Sequence, residues 1–511
     1  MNIKYINIKS ITLLLTGLMV LNSCKEEYLE IEPIGRNLED NYYRNEEESF
    51  NGLIAAYDAV NWVGGFNTKI GVSNAADDDH HAGGGGGSDM ETLQVLNHFT
   101  LDPARGPQGD LWSKGFSGIF RSNILLSKLP DAEMDETVKA RFTAETKFLR
   151  AFYYFDLIRF FKSIPLITEP ISASEMYNVL QVERSLVFAQ IEKDLLEAIP
   201  SLPPTVSGAE LGRATQGAAR ALLGKVYLQQ DKFGPAAEQL KEVNGTPGGV
   251  SQYGYKLLDN YADLWNIDNK YNSESIFEIG HTSKSNGSWD CSGCTEGNVY
   301  NVNVGPRGYT IVDQNAGAPQ YASGWSFNTI TPSLVDAFTS GGVYDPRYKS
   351  TVANIDSLEK AGVVTYIKGG DNTGYFIAKF APKSKDVSTG GGNWELNYRQ
   401  NIYEIRLADT YLMEAEALVR GGGDQGRAQL LLDAVRGRVG LGSVSATFEN
   451  IFNERRLELA SEGHRWFDLV RTGKAASALS DMGFKEGKNE FLPIPLLELN
   501  NTALVQDPAY Q

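Results

Sequence analysis

The side chains in this sequence best suited to chemistry on a ligand are aromatic rings set beside amides and carboxylates. Trp62 follows Asn61, and Trp289 precedes Asp290, next to Cys291 and Cys294. Tyr321 and Trp325 lie close together further along. A flat ring offers an apolar face to the C–H side of a sugar, while amides and carboxylates meet its hydroxyls. Trp325 has an equally good structural reading, because the Gly324-Trp325 pair reads as a turn. Trp112, Trp265 and Trp466 fall in helical patterns and read as core.

Other groups suggest different chemistry. Asp77, Asp78, Asp79, His80 and His81 form a run of metal-ligating types. Consecutive residues of an extended chain point to opposite sides, and neither HExxH nor a second His cluster accompanies the run. It reads as a solvated loop facing a ligand, with Asp79 counted among the binding residues, and no metal is expected. Cys291 and Cys294 form a single Cys-x-x-Cys. Without a second pair it lacks a structural zinc set, and no βαβ context marks it as a redox motif. A local disulfide is the expectation for an exported chain. Arg455, Arg456, Glu458, Glu462, Arg465 and Asp468 could pass for an active site. Paired charges fixing a helix–turn junction to the core explain them better. GxSxG is absent and no cofactor is expected, so the chain reads as a non-enzyme.

These groups need a scaffold. Residues 46–60 carry apolar residues at helical spacing, as do 111–129, 136–161 and 185–199. The segment 136–161 reads as an amphipathic helix with one side largely buried. Residues 61–98 read as irregular, and glycines 83–87 as a flexible loop. Residues 214–243 read helix–turn–helix, with Gly224, Tyr227, Phe233, Ala236 and Leu240 at the spacing of a tetratricopeptide repeat. Residues 401–440 repeat it more weakly, and 136–161 with 185–199 form a divergent third unit. Residues 250–400 are rich in Gly, Asn, Ser, Tyr and Trp. They read as long loops and short strands carrying a binding face. The fold class expected is mainly α, with tetratricopeptide-like helix pairs as scaffold. Its divisions are a leader at 1–23, a helical half at 24–249, the loop-rich region at 250–400, and closing helices at 401–511.

The leader has a basic start (Lys4, Lys9), an apolar stretch at 11–21 and the sequence LNSC at 21–24. It resembles a bacterial lipobox, which implies cleavage before Cys24 and acylation of Cys24. The next three residues, Lys25-Glu26-Glu27, resemble a surface-export signal of Bacteroidetes lipoproteins. The 511 residues carry 47 Lys and Arg against 64 Asp and Glu, a net charge of −17. Such a balance, without a basic run, argues against a nucleic-acid partner.

ERRLELASEGHRWFDLVR at 454–471 and FLPIPLLELNNTALVQDPAY at 491–510 resemble signature segments of the SusD/RagB-like outer-membrane nutrient-binding lipoproteins. ETKFLRAFYYFDLIRFFKSIPLI at 145–167, and GWSFNTITPSLVDAF at 324–338 with DPR at 345–347, match in order and spacing. Asp507 and Ala509 depart slightly from the family's ending. The resemblance implies a lipid-anchored protein on the cell exterior, paired with a SusC-like TonB-dependent transporter. It also implies binding of a glycan, or of a peptide as in RagB-type members. A surface-anchored glycan hydrolase is the competing reading.

Overall fold

The computed structural model describes residues 42–61, 66–291, 294–340 and 342–511. The lipobox, Cys24 and Trp62 lie outside the described residues. Eleven principal helices make the scaffold: α1 Glu46–Asp58, α2 Lys69–Ala75, α3 Gln108–Lys128, α4 Glu136–Phe160, α5 Arg184–Ala198, α6 Gln216–Leu228, α7 Phe233–Asn244, α8 Leu407–Arg420, α9 Gln425–Arg438, α10 Phe448–Glu458 and α11 Arg465–Arg471. Caps set their starts. Asn45 accepts from the Glu48 amide, Asp135 from Thr137 and Val138, and Thr215 from Ala218.

The pairs α4/α5, α6/α7 and α8/α9 pack side by side, and α7 packs on α8, so the repeat units stack. Glycine sets the spacing at two of these contacts. A Cβ on Gly224 of α6 would lie 2.5 Å from Leu240 of α7, and one on Gly115 of α3 would lie 2.6 Å from Leu157 of α4. Helix α4 is buried on more than one side, unlike the single stripe its pattern suggests. Every residue from Phe148 to Phe155 is buried, Arg150 included. Arg150 is tolerated there because Asp194 of α5 takes it at 2.7 and 2.8 Å.

The weaker repeat begins later than its pattern suggests. Residues Ile402–Arg406 form a strand, β4, paired antiparallel with β1, Ser275–Ile279. Isoleucine and tyrosine at 402, 403 and 405 favour the extended chain before α8 starts. The loop-rich region also holds β2, Val352–Asn354, paired with β3, Tyr375–Ile377. It has small cores of its own, around Trp265, Tyr300 and Phe380, and around Tyr309, Ile355 and Phe376.

A buried ionic knot ties this region to the scaffold. Glu458, at the end of α10, accepts from Arg347 (2.9 Å), Arg406 (2.6 Å) and Arg438. Arg406 also holds Glu274 and Glu462. Arg455 joins Asp409 of α8 to Asp468 of α11, and Trp466 is buried beside it. The charged segment is therefore a structural junction.

Burial makes the fold sensitive to acid. His281 and His464 are both pushed down to about 3, His281 by burial and His464 by burial and then Lys225. They stay neutral in the fold, whereas an unfolded histidine takes a proton near 6.5. Between those values the unfolded chain binds more protons, so stability falls as pH drops through about 6.5. Asp77, raised to about 6 by burial, opposes this, as does His80, which burial would lower but its Asp77 partner raises. The expected result is a lower denaturation midpoint at pH 5 than at pH 7. A shallower slope is expected in a His281→Gln/His464→Gln variant, by up to about 1.4 kcal/mol per pH unit per histidine.

Candidate functional site

Residues far apart in the chain form one exposed aromatic cluster. The rings of Trp289 and Trp325 lie 6.0 Å apart and 32° from parallel. Phe66 meets both edge-on, at 5.9 Å and 5.8 Å. Trp289 is 46% exposed and Trp325 half-buried. Below them Phe66, Trp325 and Trp394 pack on Val299, Val302 and Leu396.

Main-chain bonds hold the two tryptophans. Trp325 donates its amide to the Val302 carbonyl, Ser326 to Gly305 and Phe327 to Asn303. Gly324 lies directly against Gly305, a closeness that a Cβ would prevent. Behind this segment, Arg307 donates to Asp89 at 2.7 Å and to the Trp325 carbonyl at 3.1 Å. Trp289 and the exposed Asp290 sit on a tight turn closed by a Ser288–Cys291 bridge and the Cys291–Cys294 disulfide. Asn393 accepts the Trp289 amide, and Asn397 bonds Gly287 through both its amide oxygen and nitrogen.

The other sequence candidates fall in different places. Asn61 lies in the same quarter, donating to Glu296 at 3.0 Å. Its amide oxygen has no partner and borders a cavity of about 30 Å³ with His281 and Lys114. The Tyr321 ring packs on Tyr309 at 5.7 Å, in a separate apolar cluster. Burial, and then Tyr309, raise its phenol to about 12. Tyr321 is thus not part of the tryptophan pair.

Asp79 requires a correction. It is buried and holds Arg456 at 2.8 Å, so its carboxylate is not turned to a ligand. Asp78 takes Arg465 at 2.7 and 2.8 Å. Asp77 takes the His80 ring, whose other nitrogen meets Ser461. The run at 77–81 is therefore a clamp on the segment 456–465 and not a solvated loop. Among the described residues, no group of three metal-ligating side chains is present.

The start of the glycine run is likewise held rather than free. Gly84 donates to the Ser326 carbonyl and accepts from Gly370, so it backs the Trp325 segment. Gly83 and Gly84 both have positive φ, which glycine adopts without strain. Phe66, Asn393 and Trp394 complete the site, and sequence reasoning missed all three. Trp394 had a visible signal, an aromatic residue just after glycines 390–392.

The arrangement offers two neighbouring indole faces, partly open, on a braced platform with amides and a carboxylate at its edge. Such a surface suits stacking against a sugar ring with hydrogen bonds to its rim.

Comparison with known proteins gives a consistent picture. Residues 273–510 match the SusD family, and residues 38–228 match a family described as starch-binding associating with outer membrane. A solved "Laminarin binding SusD-like protein" is 54% identical, with a TM-score of 0.88 over 92% of this chain and 100% of that one. Surface glycan-binding protein A from Bacteroides thetaiotaomicron, in complex with laminarihexaose, is 25% identical, with a TM-score of 0.80 over 90% of this chain and 99% of that one. SusD-like protein P25 of Formosa agariphila is 24% identical over 95% of this chain and 96% of its own length.

Proposed function

The chain belongs to the SusD family, and on that premise we propose that it is a non-catalytic, surface lipoprotein of the outer membrane that captures a β-glucan of the laminarin type. The observation that carries this reading is the braced Trp289–Trp325–Phe66 cluster. The 54% identical relative named for laminarin binding and the relative holding laminarihexaose support the choice of ligand. Two partly open indoles 6.0 Å apart and inclined by 32° offer apolar ring surface to the C–H side of a sugar. The exposed Asp290 and the Asn393 amide beside Trp289 are polar groups that can meet the hydroxyls.

Delivery to a SusC-like TonB-dependent transporter, with anchoring through Cys24, completes the proposal. The described residues offer a separate surface suited to a protein partner. An open recess of about 650 Å³ is lined by Phe116, Phe120, Met176, Tyr177 and Leu497, from elements that contribute nothing to the aromatic cluster. Leu497 alone is 82% exposed.

Native affinity electrophoresis of residues 25–511 tests the ligand, with reducing ends assayed in parallel. Laminarin is expected to retard the protein strongly and starch weakly, with no new reducing ends. Release of reducing ends would establish a hydrolase instead. Indifference to every β-glucan, with binding of a peptide mixture, would move the chain to the peptide-capturing branch.

A further inference from the structure

Beside the aromatic cluster lies a second recess of about 490 Å³, bordered by Lys284, Asn286, Lys385, Asp386, Thr389 and Arg399. Its walls are the same two segments that hold Trp289. Asn393 donates its amide to the Gly287 carbonyl, and a Cβ on Gly391 would lie 3.2 Å from Asn286. Asn286 and Trp289 are three residues apart, at most about 11 Å along an extended chain. A glycan stacked on Trp289 can therefore extend into this recess.

The charges there are unusual for a chain of net charge −17. Three cations and one carboxylate line the recess. Arg399 is answered by Asp268 at 2.7 Å, with Asp386 at 3.9 Å. Asp268 also lies within electrostatic range of Lys385. Lys284 and Lys385 are both exposed, and neither forms an ion pair among the described residues. A further cation, Lys270, feels Arg399 but also the carboxylates of Glu278 and Asp268, so it adds little to the recess. The hydroxyls of Ser283, Ser388 and Thr389 border the same space. A neutral sugar needs no cation. Exposed ammonium groups without an ion pair, beside hydroxyl and amide side chains, suit an oxyanion.

We propose that this recess is a subsite for an anionic substituent, a sulfate ester or a carboxylate, carried by the glycan bound at the aromatic cluster. The inference rests on the glycan-binding reading above. The lysines add affinity through charge, so the gain is salt-dependent, while the tryptophans set affinity for the neutral chain.

Calorimetric titration with three oligosaccharides tests it: laminarihexaose, a sulfated laminarin oligosaccharide, and one oxidised to carboxylates at C6. At low ionic strength at least one anionic form is expected to bind about tenfold more tightly than laminarihexaose. Which form gains identifies the substituent. Lys284→Ala/Lys385→Ala should abolish the gain and leave laminarihexaose binding unchanged. A control variant, Lys193→Ala/Lys241→Ala, should preserve it. Laminarihexaose binding with no gain for either anionic form overturns this inference alone, as does equal loss in the control variant. Failure of all three to bind overturns the glycan reading and this inference with it.

Discussion

Replacing Trp289 and Trp325 together by alanine is expected to abolish retardation by laminarin while leaving the protein folded. Each single change should weaken binding about tenfold or more, in the range of an aromatic anchor at the centre of an interface. The two effects should not simply add, because the rings touch one another and share Phe66. Trp289 is the cleaner probe. Nearly half its surface is open, so truncation removes little packing from the fold. Trp325 is half-buried over Val299, Val302 and Leu396, and its loss will also cost some stability. Calorimetry with laminarihexaose, paired with a thermal melt of each variant, separates the two consequences. Affinity unchanged within twofold in the folded double variant would falsify the assignment of the site.

The largest expected effect on stability lies elsewhere, at Glu458. This fully buried carboxylate is shared by Arg347, Arg406 and Arg438, which come from the loop-rich region, β4 and the end of α9. The guanidiniums hold its carboxyl well below the usual carboxylate range despite burial, which alone would raise it. Glu458→Ala leaves three buried cations short of a partner. Breaking a buried ion pair from one side costs about 3–5 kcal/mol, a large part of the roughly 5–15 kcal/mol that keeps a typical protein folded. Glu458→Ala is therefore expected to unfold at far lower denaturant, or to fail to accumulate as folded protein. Glu449→Ala is the contrasting case. Its pair with Lys474 is exposed, and its removal should shift stability by less than about 1 kcal/mol. Similar denaturation midpoints for the two variants would show that the knot is not what mounts the loop-rich region on the helices.

The aromatic site was partly legible in the sequence. Trp289, Asp290 and Trp325 could be named because large rings beside polar groups in irregular segments have few structural uses. Their partner Phe66 gave no comparable signal, since a single phenylalanine in a loop looks like any other. Asp79 misled for the opposite reason. An acidic-histidine run looks solvated until the arginines that bury it are known, and Arg456 and Arg465 stand 377 and 387 positions from Asp79 and Asp78. Glycines 83–86 misled in the same way, because their close neighbours at 326 and 369–370 are not adjacent in sequence.

By itself, the sequence determined what depends on local periodicity and on ordered motifs. Helices α3 to α9 and the pairing of α6 with α7 through Gly224 follow from spacings within a few tens of residues, and the family resemblance from motifs spread in order along the chain. Burial of Trp112, Trp265 and Trp466 followed from the same patterns. Only the tertiary structure decided which rings meet, which carboxylates are buried and which lysines lack a partner. Those outcomes depend on contacts across hundreds of residues. Whether a charge is buried and paired or left facing solvent is fixed by the distant side chain that reaches it, and neighbouring residues in the chain carry no record of that side chain.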